Sequence, residues 1–461
     1  MHPLSGGVEL WYNHAAQCCE YGAEEKPLGE EFFPAEPRSL EETGLGLLPL
    51  ADLALKILYV TGQMSGFELA QAMGLPFQAV VSRVLDFMKR ERYCETRGAA
   101  GLGEGAYQYS VTEKGGVKAR EVLWRNQYTG PAPVPLADYR KAVRAQGLPQ
   151  APTHRAALEA ALGDLVLNGN VVEQLGPAVV GRHSLLLQGA SGNGKTAIAR
   201  AIANLLAEGE VYVPHAIDAQ GEIVVVYDSA LHGAPLSADA APPDHARGRA
   251  DGRWVRVRRP VVFLGAELRL DALEPTLDET ARCYSAPPQV KANNGVLVLD
   301  DLGRQTSPAV GFLARLTHLL EARSDRLAFR SGQYVDVPFE GVVIVATHLD
   351  VSQLADAALL RRIRHKVSLP APTFDEYREI FRRACAKRGL AYEENALAYL
   401  LQRYYVQPKM PLRAADPDEI LGRLLDVAAF RQVRPSLSVE LLDSACRAYF
   451  GGRVGESSRA S

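Results

Sequence analysis

Paired cysteines, surplus charge and long apolar runs are what this chain lacks. Its six cysteines in 461 residues form no CxxC pair and no Cys/His metal spacing, so the thiols are expected to be reduced and mostly packed rather than bridged or metal-bound. Lys plus Arg (51) nearly balances Asp plus Glu (54), leaving a formal charge of -3. That excludes bulk attraction to nucleic acid or to an anionic bilayer; any such contact must be local. No apolar run reaches membrane-spanning length, because Asp52 and Lys56 interrupt "LLPLADLALKILYV". The opening "MHPLSGGVELWYNH" has neither a basic segment nor the apolar core of a signal peptide. No internal repeat is visible. The expectation is a soluble, cytoplasmic chain of two to four domains with no membrane partner.

What is present divides the chain. Residues 1–44 mix Pro, Gly and Glu and read as a flexible N-terminal arm. Residues 45–130 read as a compact unit. Residues 131–155, "PAPVPLADYRKAVRAQGLPQAPTHR", read as a linker whose prolines favour extended chain. From 156 to 370 helical stretches alternate with the apolar strands "HSLLLQG", "RPVVFLG", "GVLVLDD" and "GVVIVAT", the pattern of an α/β parallel sheet covered by helices. Within it lies an insertion, 207–275, whose stretch 231–253 is rich in Ala, Pro, Gly and Asp and reads as a mobile surface loop. Residues 371–452 carry amphipathic helices only, a helical lid, and 453–461 read as a disordered tail.

The chemistry concentrates at "GASGNGKT", Gly189–Thr196, an eight-position match to GxxxxGK[ST] between an apolar strand and a helix-forming run. Gly189, Ala190, Ser191, Gly192, Asn193 and Gly194 would turn backbone N–H groups onto phosphate oxygens. Lys195 would add charge at the outer phosphates, and the Thr196 hydroxyl could ligate Mg²⁺. A glycine turn without a ligand is the bland alternative, and the strand–loop–helix context weighs against it. About a hundred residues on, "GVLVLDDLGRQ" runs an apolar strand into Asp300 and Asp301. At the carboxyl end of such a strand Asp300 would orient the metal, and Asp301 would position or deprotonate the attacking water. An Asp-Asp turn or helix cap is the alternative, favoured only when the pair is seen alone.

Beyond the aspartates, "SPAVGFLARLTHLLEARSDRLAFRSGQYVDVPFEGVVIVATHLD" reads as helix, hairpin turning at Ser331-Gly332, then strand. With the two nucleotide motifs, this resembles the AAA+ ATPases over roughly residues 156–450, and most closely MoxR-type members, where "LLEA" leads into a β-hairpin. The resemblance implies a P-loop NTPase sheet with Walker A and Walker B elements, ATP and Mg²⁺ as cofactors, and a homo-oligomeric ring that remodels a protein client. It also implies residue roles. The strand "GVVIVAT" should end in a polar γ-phosphate sensor, usually Asn; here Thr347 and His348 stand there. Arginines in "RRIRHK" should reach a neighbouring subunit, making Arg361, Arg362 and Arg364 candidates, with Arg362 favoured; Arg304 ranks second. In "PLRAADPDEILGRLL" Arg413 resembles the lid arginine, with Asp416 as helix cap, Pro417 first and Glu419 third. "DDLG" also resembles replication-initiator and helicase-loader ATPases, so an aspartate in the second position is compatible with hydrolysis.

In the N-terminal unit "SGFELAQAMGLP" reads as a helix-turn-helix, with Val80, Val84, Leu85 and Met88 burying one face of the next helix. "YQYSVTEKGGVKAREVLW", a strand then a helix, resembles the wing of winged-helix domains. The outer face, Gln78, Ser82, Arg83, Asp86, Lys89 and Arg90, is only weakly basic. Both DNA binding, with Arg97 joining in, and protein docking stay open. Two functions emerge: an ATPase that remodels a protein or protein–DNA partner, or an ATP-gated DNA-binding regulator or loader. A non-hydrolysing scaffold is the third.

Overall fold

The computed structural model describes residues 32–99, 101, 103–148, 155–236, 248–350 and 361–451. The expected tail, most of the expected arm and residues 351–360 therefore lie outside the described residues.

Five parallel strands form the centre. In chain order they are Leu185–Gln188, Val261–Leu264, Val296–Leu302, Val342–Thr347 and His365–Ser368, and across the sheet they run second, third, fourth, first, fifth. Val342–Thr347 is buried at every position, as expected where helices cover both faces. Alternate side chains divide between two layers. Leu185, Leu187, Val296, Val298, Val342 and Ile344 pack with Ile198 and Ile202 of the helix Lys195–Leu206. Leu186, Leu297, Leu299, Val343 and Val345 pack with Phe312, Leu313 and Leu316 on the other side. Each such side chain withdrawn from water contributes about 1.5–3 kcal/mol. The α/β fold class is as the sequence implies, and the hairpin appears as Ser324–Ala328 paired with Tyr334–Pro338, with Gly332 at φ 82° in the turn.

A second five-stranded sheet stands beside the first, in the order Thr276–Asp278, Cys283–Ser285, Glu222–Val225, Ala216–Ala219, Val134–Pro135. It overturns the linker expectation for 131–155: Val134–Pro135 is an edge strand and Leu136–Ala145 a helix whose Tyr139 and Val143 are buried against the hairpin's Leu327 and Val337. Proline stops nothing here, because Pro135 closes a sheet edge and immediately precedes the helix, where its missing N–H is harmless. The loop expectation for 231–253 is corrected at its end: Asp251 and Arg253 are buried and paired. The arm expectation is corrected for residues 33–44. Ala35 bridges Ala250, the Asp251 N–H donates to the Pro34 carbonyl at 2.8 Å, and Thr43 is fully buried.

The N-terminal unit comprises helices Leu47–Thr61, Gly66–Met73, Ser82–Arg90 and Glu113–Arg125 with an antiparallel sheet ordered Gln63–Ser65, Tyr107–Val111, Cys94–Ala99. Gly66–Met73 starts in a capping box: Ser65 Oγ accepts from the Glu68 N–H and Glu68 accepts from the Ser65 N–H. Val80, Val84, Leu85 and Met88 are buried as the spacing predicts, although Phe77–Val81 is wound as a π-helix before the α-helix begins. The unit abuts the insertion at a point where only glycines fit. A Cβ on Gly74, which sits at φ +64°, would meet the Gly252 carbonyl oxygen at 2.6 Å.

Four helices, Phe374–Lys387, Glu394–Leu401, Asp416–Phe430 and Val439–Phe450, build the C-terminal bundle. Its core holds a polar chain. Tyr377 and Tyr405 hydroxyls lie 2.9 Å apart, and Tyr405 and Tyr449 hydroxyls donate to Asp416 at 2.7 and 2.5 Å. Asp416 is thus not the helix cap. Ala415 occupies that place, and the buried carboxylate turns inward to hydroxyls. Burial pushes its pKa up, against the pull of Tyr449 and Tyr405.

Candidate functional site

The site forms where strand Leu185–Gln188 breaks into the glycine-rich loop. Gly192 and Gly194 take φ +88° and +84°, left-handed values that L side chains rarely adopt. The turn they make delivers Lys195 and Thr196 to the first turn of a twelve-residue helix, whose N-terminal amides carry partial positive charge. Lys195 is buried and its ammonium donates to the carbonyls of Gly189 and Ala190, each at 2.9 Å. Burial lowers its pKa below the ordinary lysine value, and Asp301 and Asp300 pull it back up. The side amide of Asn193 donates to the Leu369 carbonyl at 3.2 Å and anchors the loop to the end of the fifth strand.

Strand Val296–Leu302 ends at the same place. Thr196 Oγ1 donates to Asp300 Oδ1 at 3.1 Å. A hydroxyl and a carboxylate at that spacing offer two hard oxygens to one position, the donor type Mg²⁺ takes when substrate phosphates and water complete its shell. Asp301 follows at φ +51°, a left-handed non-glycine residue near the carboxyl end of this interior strand, with its N–H donating to Asp300 Oδ1 at 3.0 Å. Arg304, a second-rank candidate by sequence, reaches the same corner. Its guanidinium lies 3.6 Å from Asp301 Oδ2 and 3.3 Å from the Ser191 hydroxyl, joining the strand end to the phosphate loop. Gln305, which the sequence does not single out, holds this turn: its side chain accepts from the Gly303 N–H at 2.8 Å and donates to the Gly265 carbonyl at 3.0 Å.

The bundle closes over the loop. The Ala415 N–H donates to the Gly192 carbonyl at 3.0 Å, and a Cβ on Gly192 would stand 3.4 Å from Arg413. Arg413 is therefore beside the phosphate loop. Thr347 is elsewhere in role. It is fully buried, its hydroxyl donates to the Leu302 carbonyl at 2.7 Å and accepts from the Leu349 N–H at 3.1 Å. It staples the two central strands. His348 follows it with Nδ1 buried and, among the described residues, without a hydrogen-bond partner.

The favoured arginine is engaged within its own chain. Arg362 Nε meets Glu321 Oε1 at 2.5 Å and its Nη1 donates to the Thr317 hydroxyl at 3.0 Å. Arg364 Nη1 lies 2.7 Å from His183 Nε2; burial and then Arg364 itself lower the pKa of that imidazole. Arg361 is exposed. Glu321 lies within the "LLEA" string, which by itself assigns it no role.

Comparisons with known proteins find family matches in two segments. The family described as magnesium chelatase, subunit ChlI, matches residues 163–222, the stretch holding the phosphate loop and its flanking strand and helix. A domain of unknown function (DUF8689) matches residues 373–448, the C-terminal bundle. No curated protein matches the chain. Among solved structures it is similar to a point mutant of RuvB from Thermotoga maritima, at 14% identity and TM-score 0.37, covering 62% of this chain and 71% of that one. It is also similar to NtrX from Brucella abortus in complex with ADP, at 16% identity and TM-score 0.38, covering 65% of this chain and 57% of that one. The chain itself shows an α/β fold with a five-stranded parallel sheet and a phosphate-loop motif leading into the helix Lys195–Leu206.

Proposed function

We propose that this protein is a Mg²⁺-dependent ATPase that works as a homo-oligomeric ring in the cytoplasm and uses hydrolysis to remodel a protein or protein–DNA partner. The observation that carries the reading is the 3.1 Å bond between the Thr196 hydroxyl and Asp300, which joins the phosphate loop to the acidic strand end. In this reading Gly189–Thr196 cradle the phosphates, and Thr196 and Asp300 hold Mg²⁺, which when bound neutralises phosphate charge. Lys195 neutralises the outer phosphates, and Asp301 orients the attacking water. Arg413 reports nucleotide to the bundle through the Gly192 contact. His348 stands where a phosphate sensor is expected; its buried, unpartnered Nδ1 supports a role awaiting a ligand. Arg362 acts on the neighbouring subunit after leaving Glu321.

The hairpin between the "LLEA" helix and the sensor strand supports a MoxR-like subtype. The N-terminal unit is read as a winged-helix module, on the strength of its four helices and three-stranded sheet. For its use, docking to protein is favoured over DNA. Three of the four basic residues considered for DNA contact already have acidic neighbours: Arg83 is 3.9 Å from Glu41, Lys89 2.8 Å from Asp86 and Arg97 3.0 Å from Glu95, while Arg90 donates to the Asp86 carbonyl at 3.3 Å. Phosphate contacts would have to displace all three. The regulator or loader alternative requires DNA affinity that responds to ATP and is lost in Arg83→Gln/Lys89→Gln.

Steady-state phosphate release tests the core of the proposal. Wild type should release phosphate in a Mg²⁺-dependent way, and Lys195→Ala should not. Equal rates for the two at concentrations where subunits assemble would falsify it.

A further inference from the structure

The structure assigns Arg304 a cis role at the nucleotide: we propose that it contacts the terminal phosphate of ATP in its own subunit and, until that phosphate arrives, latches the water-positioning Asp301. This rests on the ATPase reading above and adds a residue to it.

Three observations combine. First, the guanidinium spans the two halves of the site, touching Ser191 of the phosphate loop at 3.3 Å and Asp301 at 3.6 Å. Second, its backbone is fixed. The Arg304 N–H donates to the Asp301 carbonyl at 3.1 Å, and Gln305 fastens the turn behind it to Gly303 and Gly265. The turn that carries the side chain is thereby anchored beside the phosphate loop. Third, the grip on Asp301 is weak. The two side chains are 47% and 37% exposed and separated by more than a hydrogen bond, and exposed pairs of this kind contribute about 0–1 kcal/mol. A phosphate with several oxygens is a stronger partner for a planar guanidinium than one half-solvated carboxylate. Arrival of a triphosphate therefore exchanges the partner of Arg304. The exchange frees Asp301 to hold water, while the diphosphate, lacking the terminal group, leaves the latch closed. Arg304 would thereby couple recognition of ATP to availability of the carboxylate, with both residues on one turn.

The experiment measures binding of fluorescent ADP and of a fluorescent, slowly hydrolysed ATP analogue to full-length wild type, Arg304→Gln, Arg304→Lys and Asp301→Asn, alongside hydrolysis. Arg304→Gln should weaken the triphosphate about tenfold, with ADP affinity held within about twofold and kcat lowered about 10–100-fold. Arg304→Lys should restore charge but not the fork, recovering part of the triphosphate affinity. Asp301→Asn, by removing the competing carboxylate, should raise triphosphate affinity a few-fold and leave ADP unchanged. Mixing Arg304→Gln with Lys195→Ala subunits should restore no activity, because the intact arginine then sits beside an inactive loop. Equal weakening of both nucleotides overturns the phosphate contact, restoration on mixing overturns the cis assignment, and unchanged triphosphate affinity in Asp301→Asn overturns the latch. Wild type that binds neither nucleotide overturns the ATPase reading and the Arg304 role together. Wild type that binds both, with Arg304→Gln indistinguishable from it, overturns Arg304 alone.

Discussion

Removing Asp251 tests whether the segment 33–44 is held to the insertion by a buried ion pair whose arginine reaches across to Thr43. Asp251 and Arg253 side chains are 4% and 5% exposed. Arg253 Nε donates to both Asp251 oxygens at 3.1 and 3.0 Å, Nη2 donates at 2.8 Å, and Nη1 reaches the Thr43 carbonyl at 2.8 Å. Asp251→Ala leaves a guanidinium buried with one backbone acceptor. Breaking such a pair from one side costs about 3–5 kcal/mol, whereas replacing both members by apolar groups is often near neutral. At 1.4 kcal/mol per decade, a loss of about 3 kcal/mol raises local opening by about two orders of magnitude. The chain has several packed units, so a single unfolding midpoint is a poor probe. Amide hydrogen exchange of peptides covering 33–44, 70–75 and 248–254 is the better assay. Exchange there should accelerate about 100-fold in Asp251→Ala, with the central strands little changed. Arg253→Met added to Asp251→Ala should recover much of the protection. A change under about tenfold in the single variant, or no recovery in the double, would refute the assignment of the pair as the lock.

Three further outcomes are expected. Lys56 is buried with its ammonium 2.5 Å from Asn126 Oδ1, and burial lowers its pKa from 10.5 to about 8. Between these values the unfolded chain holds the extra proton, so this group adds stability as pH rises from about 8 to 10.5, about 3 kcal/mol in total. Amide hydrogen exchange of peptides covering helix Leu47–Thr61, compared between wild type and Lys56→Met at each pH, should show a gap that shrinks or reverses over that range; a constant gap counts against it. Asp301→Asn, although it binds Mg²⁺-ATP at least as tightly as wild type, should lower hydrolysis by about 10²-fold or more, read by single-turnover kinetics. Thr347→Val strands the Leu302 carbonyl and the Leu349 N–H in the core and should destabilise by about 1–3 kcal/mol in urea titrations followed at the core sheet; no measurable loss would contradict the staple.

Much of the central sheet is legible in the sequence because its strands read as unbroken apolar runs between helical periods. The phosphate loop is legible because its glycines, lysine and threonine are each demanded by phosphate geometry. The hairpin at Gly332 and the buried positions Val80, Val84, Leu85 and Met88 are equally readable. Residues 131–148 are not. Pro131, Pro133 and Pro135 signal extended chain, and nothing local announces that Tyr139 will find Asn293 and the hairpin. The second sheet escapes notice because its strands have two to four residues and gain partners only from distant segments. Asp416 suggests a cap because a local rule competes with three tyrosines spread over Tyr377–Tyr449, two of which donate to it. The pairing of Arg362 with Glu321 is equally invisible, since the two come together only when helix Thr317–Ala322 packs near the fifth strand.

The partnership of Thr43 with Arg253 bears on how the chain reaches this state. Those residues are 210 positions apart, and the Val143 carbonyl waits 151 positions for Asn294. At about 5–20 residues per second, the nascent N-terminal unit spends roughly ten to forty seconds outside the ribosome before its partner emerges. During that interval the Thr43 carbonyl lacks its arginine, Gly74 lacks its facing backbone, and the edge of Val134–Pro135 is open. Cotranslational folding cannot therefore finish the N-terminal unit as a sealed domain. Its completion is timed by synthesis of the insertion, and a truncated or stalled chain would present that open edge to whatever chaperone or neighbouring strand is at hand.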